Sequence, residues 1–216
     1  MTAVEAGSLR MLGTLGFAGL CSGLAVVGIF LITQPRIERN RAEALEAAIF
    51  RVLQGARSRA AFVVAGERLI RQDAPDETAG QREVVYAGYD DTGGLLGFAI
   101  PAEGPGFQDT IKLLYGYDAS TERVVGMEVL ESRETPGLGD KIIKDEAFVD
   151  NFRNLAVDPE VVVVKGGRTR DNEVDAISGA TISSKAVVRI INAANESWRG
   201  RIAAMPAGGD AKRGAE

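Results

Sequence analysis

No charged residue occurs between Met11 and Thr33. At about 1.5 Å rise per residue, a helix over that run crosses a hydrocarbon core of about 30 Å. The first part of the chain is therefore committed to a single membrane-spanning helix, residues 11–33, preceded by a short tail, 1–10. A cleaved signal peptide is the competing reading, but the run exceeds a usual signal-peptide core and Gln34-Pro35-Arg36 offers no small-residue cleavage site. Gly13, Gly16, Gly19, Gly23 and Ala25 recur along the helix, with small-xxx-small spacings at Gly19 to Gly23 and Ala18 to Ser22. That pattern predicts close packing against another membrane helix, as well as contact with lipid.

Composition removes several chemistries. The chain has no histidine, so it can build neither a His-containing metal site nor a Ser-His-Asp triad. Its one cysteine, Cys21, lies in the apolar run, which excludes an internal disulfide and a four-cysteine iron–sulfur cluster held by this chain alone. A net charge of -5 argues against a nucleic-acid partner, which needs a concentrated basic face. No metal site and no self-sufficient catalytic constellation is expected. Arg10 precedes the membrane run and Arg36, Arg39 and Arg41 follow it, a bias that would place the C-terminal domain in the cytoplasm.

After the membrane run, Ile37, Leu45, Ala48, Ile49, Val52 and Leu53 recur at helical spacing up to Gly55, which predicts an amphipathic connecting helix. Pro75, Gly80 and several acidic residues then read as a linker, so that residues 34–81 connect the anchor to a domain over 82–199. Four β-rich runs follow: Glu83 to Tyr89, Leu95 to Ile100, Thr110 to Tyr117 and Arg123 to Leu130. Turn signals separate them at 90–94, 101–107 and 118–122, which predicts an antiparallel meander. Asp145 to Leu155 reads as a short helix, Glu160 to Val164 as a buried strand, and Ser183 to Trp198 as a closing helix with Val187, Val188, Ile191 and Ala194 on its apolar face. The fold class is α+β: an antiparallel sheet with packed helices behind one transmembrane helix. The Gly- and Ala-rich tail, 200–216, reads as disordered.

Chemistry concentrates in Asp175-Ala176-Ile177-Ser178-Gly179-Ala180-Thr181-Ile182-Ser183-Ser184-Lys185. No activating base lies near Thr181 in sequence, so its hydroxyl suits a modification acceptor better than a hydrolytic nucleophile. Gly179 and Ala180 leave room beside it, and a phosphate placed there meets the N-terminus of the closing helix, with Lys185 one turn in. The alternative is that Ser178, Thr181, Ser183 and Ser184 merely cap that helix. In Glu134-Thr135-Pro136-Gly137-Leu138-Gly139, Pro136-Gly137 predicts a type II turn, whether as a tight connection or as part of a site. Gly104-Pro105-Gly106 lacks the G-x-G-x-x-G spacing and is not a Rossmann loop. Phe107, Tyr115 and Tyr117 are candidate aromatic neighbours of a ligand, with core packing expected for at least two of them.

The stretch Asp175 to Ser183 resembles the sequence at which a flavin transferase attaches FMN to threonine through a phosphoester. The run Glu134 to Gly139 is similar to a second motif of the same FMN-binding domain family, found in the G component of Rnf-type electron transport complexes and in the C component of sodium-pumping NADH:quinone reductases. The resemblance extends to about Arg199. It implies covalent FMN on Thr181, with Ser178, Gly179, Ala180, Ser183 and Lys185 around the attachment point. Glu134, Thr135, Gly137 and Leu138 would lie against the cofactor, and Lys141 would pair with the FMN phosphate or with Asp140 or Asp145. It further implies an electron-carrying subunit, partnered by other membrane and peripheral subunits of a ferredoxin:NAD+ oxidoreductase, in the cell membrane with the domain on the periplasmic side. That orientation opposes the arginine bias. The family often has a histidine two residues before the Glu-Thr-Pro-Gly run, where this chain has Ser132. The rival from another class is a membrane-anchored assembly module without flavin.

Overall fold

A computed structural model describes residues 3–65, 68–72 and 83–205; for residues 3–9, 65 and 68 it describes the backbone alone. Two compact units result, Met1–Ala44 and Leu45–Glu216. Helix α1 runs unbroken over Ala3–Val52, through Pro35. The sequence pattern separates a tail at 1–10, a membrane helix and a connecting helix, and the structure joins them. Proline removes one N–H from the ladder, which membrane helices tolerate, and in the turn before it the Thr33 hydroxyl donates to the Ile29 carbonyl at 2.6 Å. The apolar part of α1 reaches a mean hydropathy of 2.3 with none of that window buried, long and apolar enough to cross a membrane.

Seven antiparallel strands form the main sheet: β1 (Ser58–Ala65), β2 (Arg68–Gln72), β3 (Val84–Tyr89), β4 (Leu95–Pro105), β5 (Thr110–Asp118), β6 (Arg123–Glu131) and β7 (Leu155–Ala156). Their order is β2-β1-β3-β4-β5-β6-β7, so β3 to β6 make the expected meander. The sheet starts earlier than the sequence suggests. β1 and β2 lie within the segment read as linker, and β1 pairs with β3 from Ser58–Tyr89 to Val63–Val84. Residues 73–82, with the expected domain start at Arg82, and 206–216 of the tail lie outside the described residues. β4 also continues through the expected turn at Pro101. Among the described residues its ladder with β3 runs from Leu95 to Ala99, and beyond it none of them pairs with that edge of β4, where a residue lacking N–H is tolerated.

Side chains alternate between two cores, as the pleat requires. On β5, Ile111, Leu113, Tyr115 and Tyr117 face one hydrophobic cluster while Leu114 faces the other. The first cluster is closed by a long C-terminal helix, whose buried face carries Val187, Val188, Ile190, Ile191 and Trp198. The second is closed by Ala48, Ile49, Val52 and Leu53 from the end of α1. These residues belong to the sheet domain rather than to a connector. They approach so closely because the strands beneath them carry glycine. A Cβ on Gly116 would lie 2.6 Å from the Val52 carbonyl oxygen, and one on Gly126 would lie 2.9 Å from it.

Past β6 come two short helices, α2 (Lys141–Lys144) and α3 (Glu146–Asp150), in place of one helix over 145–155. Asp145 divides them, accepting from the Phe148 N–H at 3.2 Å as the cap of α3. The strand expected at Glu160 to Val164 is shorter, β8 (Val162–Val164), and is half-exposed rather than buried, because its parallel partner β9 (Glu173–Asp175) is its only neighbour in a two-stranded sheet. The closing helix α4 spans Thr181–Ala203, longer at both ends than Ser183 to Trp198 and continuing into the segment expected to be tail.

Candidate functional site at the start of the C-terminal helix

Two tight turns meet beside the N-terminus of α4. In the first, the Leu138 N–H donates to the Thr135 carbonyl at 3.2 Å and Gly137 takes φ +78°, which is the turn expected at Pro136-Gly137. In the second, the Ala180 N–H donates to the Ile177 carbonyl at 3.0 Å and Gly179 takes φ +84°. Thr181 follows at once as the first residue of α4, half-buried. Ala180 occupies the cap position and no side chain caps the helix. The serines have other partners. The Ser184 hydroxyl donates to the Ala180 carbonyl at 3.0 Å and accepts from the Ile177 N–H at 3.2 Å, bracing the turn from inside.

Ser183 points the other way, donating to Glu134 Oε2 at 2.6 Å. Glu134 is only 5% exposed, and its second oxygen, Oε1, accepts from the backbone N–H groups of Phe107 at 2.8 Å and Gln108 at 3.0 Å. The carboxylate thus joins the β4–β5 loop, the Glu134–Gly139 segment and α4. Burial pushes its pKa up, while the Ser183 hydroxyl and the amides of Gln108, Phe107 and Asp109 outweigh that and hold it below the usual carboxylate range. Room for it comes from two glycines: a Cβ on Gly139 would lie 2.7 Å from Oε2, and one on Gly106 would collide with Oε1. Across the same junction the Thr135 hydroxyl lies 3.1 Å from Gln108 Oε1, and the Ser132 hydroxyl accepts from the Glu134 N–H at 3.3 Å.

Above this junction opens a cleft of about 320 Å³, bordered by Phe107, Thr135, Leu138, Gly179, Thr181 and Ile182. Phe107 is 63% exposed, Leu138 50% and Ile182 59%. Three exposed apolar side chains therefore share the cleft with Thr181. On the polar side, Ser184 is the first residue of α4 whose N–H bonds back into the helix start, to the Ala180 carbonyl at 2.9 Å. The N–H groups of Thr181, Ile182 and Ser183 are left at the positive end of a 23-residue helix, an anion-binding arrangement. A phosphate ester on Thr181 with a planar aromatic body fits that combination.

The family model described as an FMN-binding domain matches residues 106–196. Those residues are similar to an FMN-binding domain. The chain is 38% identical over 109 residues to the G subunit of the ion-translocating oxidoreductase complex of Methanosarcina acetivorans, covering 50% of this chain and 55% of that protein. It is 29% identical over 176 residues to the G subunit of the same name from Haemophilus influenzae, covering 81% and 82%. The chain spans about half the length of its curated relatives from Methanosarcina acetivorans, Acetobacterium woodii and Aliivibrio fischeri. The C subunit of the Na(+)-translocating NADH-quinone reductase of Parabacteroides distasonis has the same fold, with a TM-score of 0.60 at 21% identity over 79% of this chain and 98% of that one.

Of the residues singled out in the sequence, the fold brings Glu134, Thr135, Leu138, Gly179, Ala180, Thr181 and Ser183 to one cleft. Gly137 and Ser178 do not border it; each is a central residue of one of the two turns. Lys185 is exposed and lines a separate groove with Asp158, Glu160 and Arg189. Lys141 begins α2 and does not border the cleft, and Asp140 pairs with Lys144 at 2.6 Å rather than with Lys141. The helix spacing explains this: Lys144 lies four residues on from Asp140, and Lys141 is its immediate neighbour. Of the three aromatics, Tyr115 and Tyr117 are core residues and Phe107 is at the cleft. Two features escape the sequence pattern, Ile182 at the rim and the partnership of Gln108 with Glu134. Ile182 is legible as an apolar residue off the buried face of α4; Gln108 carries no signal.

Proposed function

We propose that Thr181 carries FMN through a phosphoester to its hydroxyl, and that the chain is the membrane-anchored electron-transfer subunit of an Rnf-type, ion-translocating ferredoxin:NAD+ oxidoreductase complex. One observation carries the reading: Thr181 is the first residue of α4, uncapped by any side chain, with free helix N–H groups behind it and an exposed apolar rim in front. The names of the G-subunit relatives support membership of such a complex. FMN supplies transfer of one or two electrons. The protein supplies place and orientation. The N–H groups of Thr181, Ile182 and Ser183 would offset phosphate charge; Gly179 and Ala180 would leave the hydroxyl accessible to a flavin transferase; Phe107, Leu138 and Ile182 would offer the ring system an apolar surface. The apolar segment at 11–33 anchors the chain in the cell membrane, against lipid and a partner helix, with the FMN-binding domain on the outer side.

Thr181→Val tests the attachment, since it removes the hydroxyl and keeps the volume. Co-expressed with a flavin transferase, the natural chain is expected to show covalent flavin fluorescence after denaturing electrophoresis, and the variant none, with unfolding midpoints that agree. Covalent flavin retained in the variant, or absent from the natural chain, overturns the reading.

A further inference from the structure

Glu134 lies at the cleft, and both of its carboxylate oxygens already accept hydrogen bonds from the protein. Oε2 accepts from Ser183 in the first turn of α4, and Oε1 accepts from the amides of Phe107 and Gln108. Phe107 and Leu138, two of the three apolar residues of the rim, stand on segments this carboxylate ties together, and the third, Ile182, precedes Ser183 in sequence. Other side-chain links join the same elements nearer the surface, Thr135 to Gln108, Arg133 to Asp109 at 3.6 Å and Arg189 to the Pro105 carbonyl, but none of them joins all three. Glycine at 106 and 139 is what lets the carboxylate enter. A buried charge with three donors is retained at a desolvation cost, and a neutral apolar residue would fill the same space without fixing any of these segments.

We propose that Glu134 is a positioning residue for the flavin: without touching it, the carboxylate fixes Phe107 and Leu138 about Thr181 and so holds the isoalloxazine ring in one orientation over the cleft. This rests on the assignment of FMN to Thr181. Attachment itself does not need the latch; ring order does.

The test uses the full chain in detergent, natural and with Glu134→Ala or Glu134→Gln, each before and after loading by a flavin transferase. In the unloaded chain, hydrogen exchange at the Phe107 and Gln108 amides is expected to quicken about tenfold or more in Glu134→Ala, because both lose a charged acceptor. Glu134→Gln keeps a carbonyl acceptor for those amides and is expected to restore most of the protection. In the loaded chain, all three carry the same mass gain, but Glu134→Ala is expected to lose most of the visible circular dichroism of the flavin and to be more readily quenched by iodide, with partial rescue in Glu134→Gln. A packing role alone would not move the flavin signals separately from the unfolding midpoint. Ser183→Ala opens the α4 arm alone and carries the same test where Glu134→Ala does not fold. Unchanged dichroism and quenching in the folded variants overturn the proposal. Absence of flavin from the natural chain is a failure of the Thr181 assignment instead, and the exchange measurement still decides whether Glu134 holds the loop.

Discussion

Leu53 sits where the sequence places a connector and the structure places core. It is 2% exposed, packed in the second hydrophobic cluster and against strand backbone at three glycines. A Cβ built on Gly88 would come within 2.7 Å of its Cδ1, and Cβ atoms on Gly97 and Gly116 would come within 3.3 and 3.1 Å of its Cδ2. Three strands therefore form a socket with walls of main chain. Truncating a buried leucine to alanine costs about 2–5 kcal/mol, least where neighbours collapse into the space. Here the neighbours are hydrogen-bonded strands, which cannot move inward without breaking their ladders, so Leu53→Ala should fall in the upper half, about 3–5 kcal/mol. With a urea dependence of about 1–3 kcal/mol per molar, the midpoint should drop by at least about 1 M. The assay is urea unfolding of the full chain in detergent, followed by Trp198, the only tryptophan, which is buried in the cluster on the opposite face of the sheet. Ile37→Ala in α1, at a side chain 48% exposed, is the control and should stay within about 0.5 kcal/mol. A Leu53→Ala cost below about 1 kcal/mol, or a Trp198 transition that does not shift, would refute the claim that the end of α1 is part of one cooperative domain.

Two further outcomes follow from charge. Glu173 is 3% exposed, and its carboxylate accepts from the Thr169 N–H at 2.7 Å, from the Arg170 guanidinium at 2.7 Å and from the Arg170 N–H at 3.0 Å, which lowers its pKa from 4.5 to about 2. A depressed pKa contributes stability above the unfolded value that is lost as pH falls through the folded one, so the 168–175 segment should lose protection, measured against the intrinsic amide rate at each pH, as pH drops from about 4.5 towards 2. Glu173→Gln should flatten that dependence; equal acid sensitivity in both chains would remove Glu173 as its cause. For orientation, Ser120→Cys places a thiol at an exposed position between β5 and β6. A membrane-impermeant maleimide is expected to label it in intact cells, and labelling only after permeabilisation would mean that the arginine bias, not the family resemblance, sets the topology.

Much of the fold is legible in the sequence because the signals are local. The four meander strands announce themselves by alternation between turn residues, and the parity that puts Leu113 in the core puts Tyr115 and Tyr117 there as well. The Pro136-Gly137 turn and the start of α4 are equally local. What stays hidden depends on register. Gly88, Gly97, Gly116 and Gly126 are unremarked residues on four strands until pairing brings them under Val52 and Leu53. For the same reason Ile49 and Leu53 read as one face of an amphipathic helix with no stated partner. A glutamate before Thr-Pro-Gly reads as a solvated loop residue or a ligand. Its three inward hydrogen bonds come from residues 26, 27 and 49 positions away, which no local pattern encodes. Lys141 and Lys185 are not among the residues that border the cleft, and spacing from Thr181 alone does not resolve this because a few positions along a helix change which way a side chain faces.

The bond to Thr181 is tested most directly by peptide mapping with mass spectrometry, on the chain purified after co-expression with a flavin transferase. A gain of about 438 Da, FMN less water, is expected on the peptide containing Thr181 and on no other. An unmodified Thr181 peptide under those conditions, or the same gain on a different residue, would contradict the assignment.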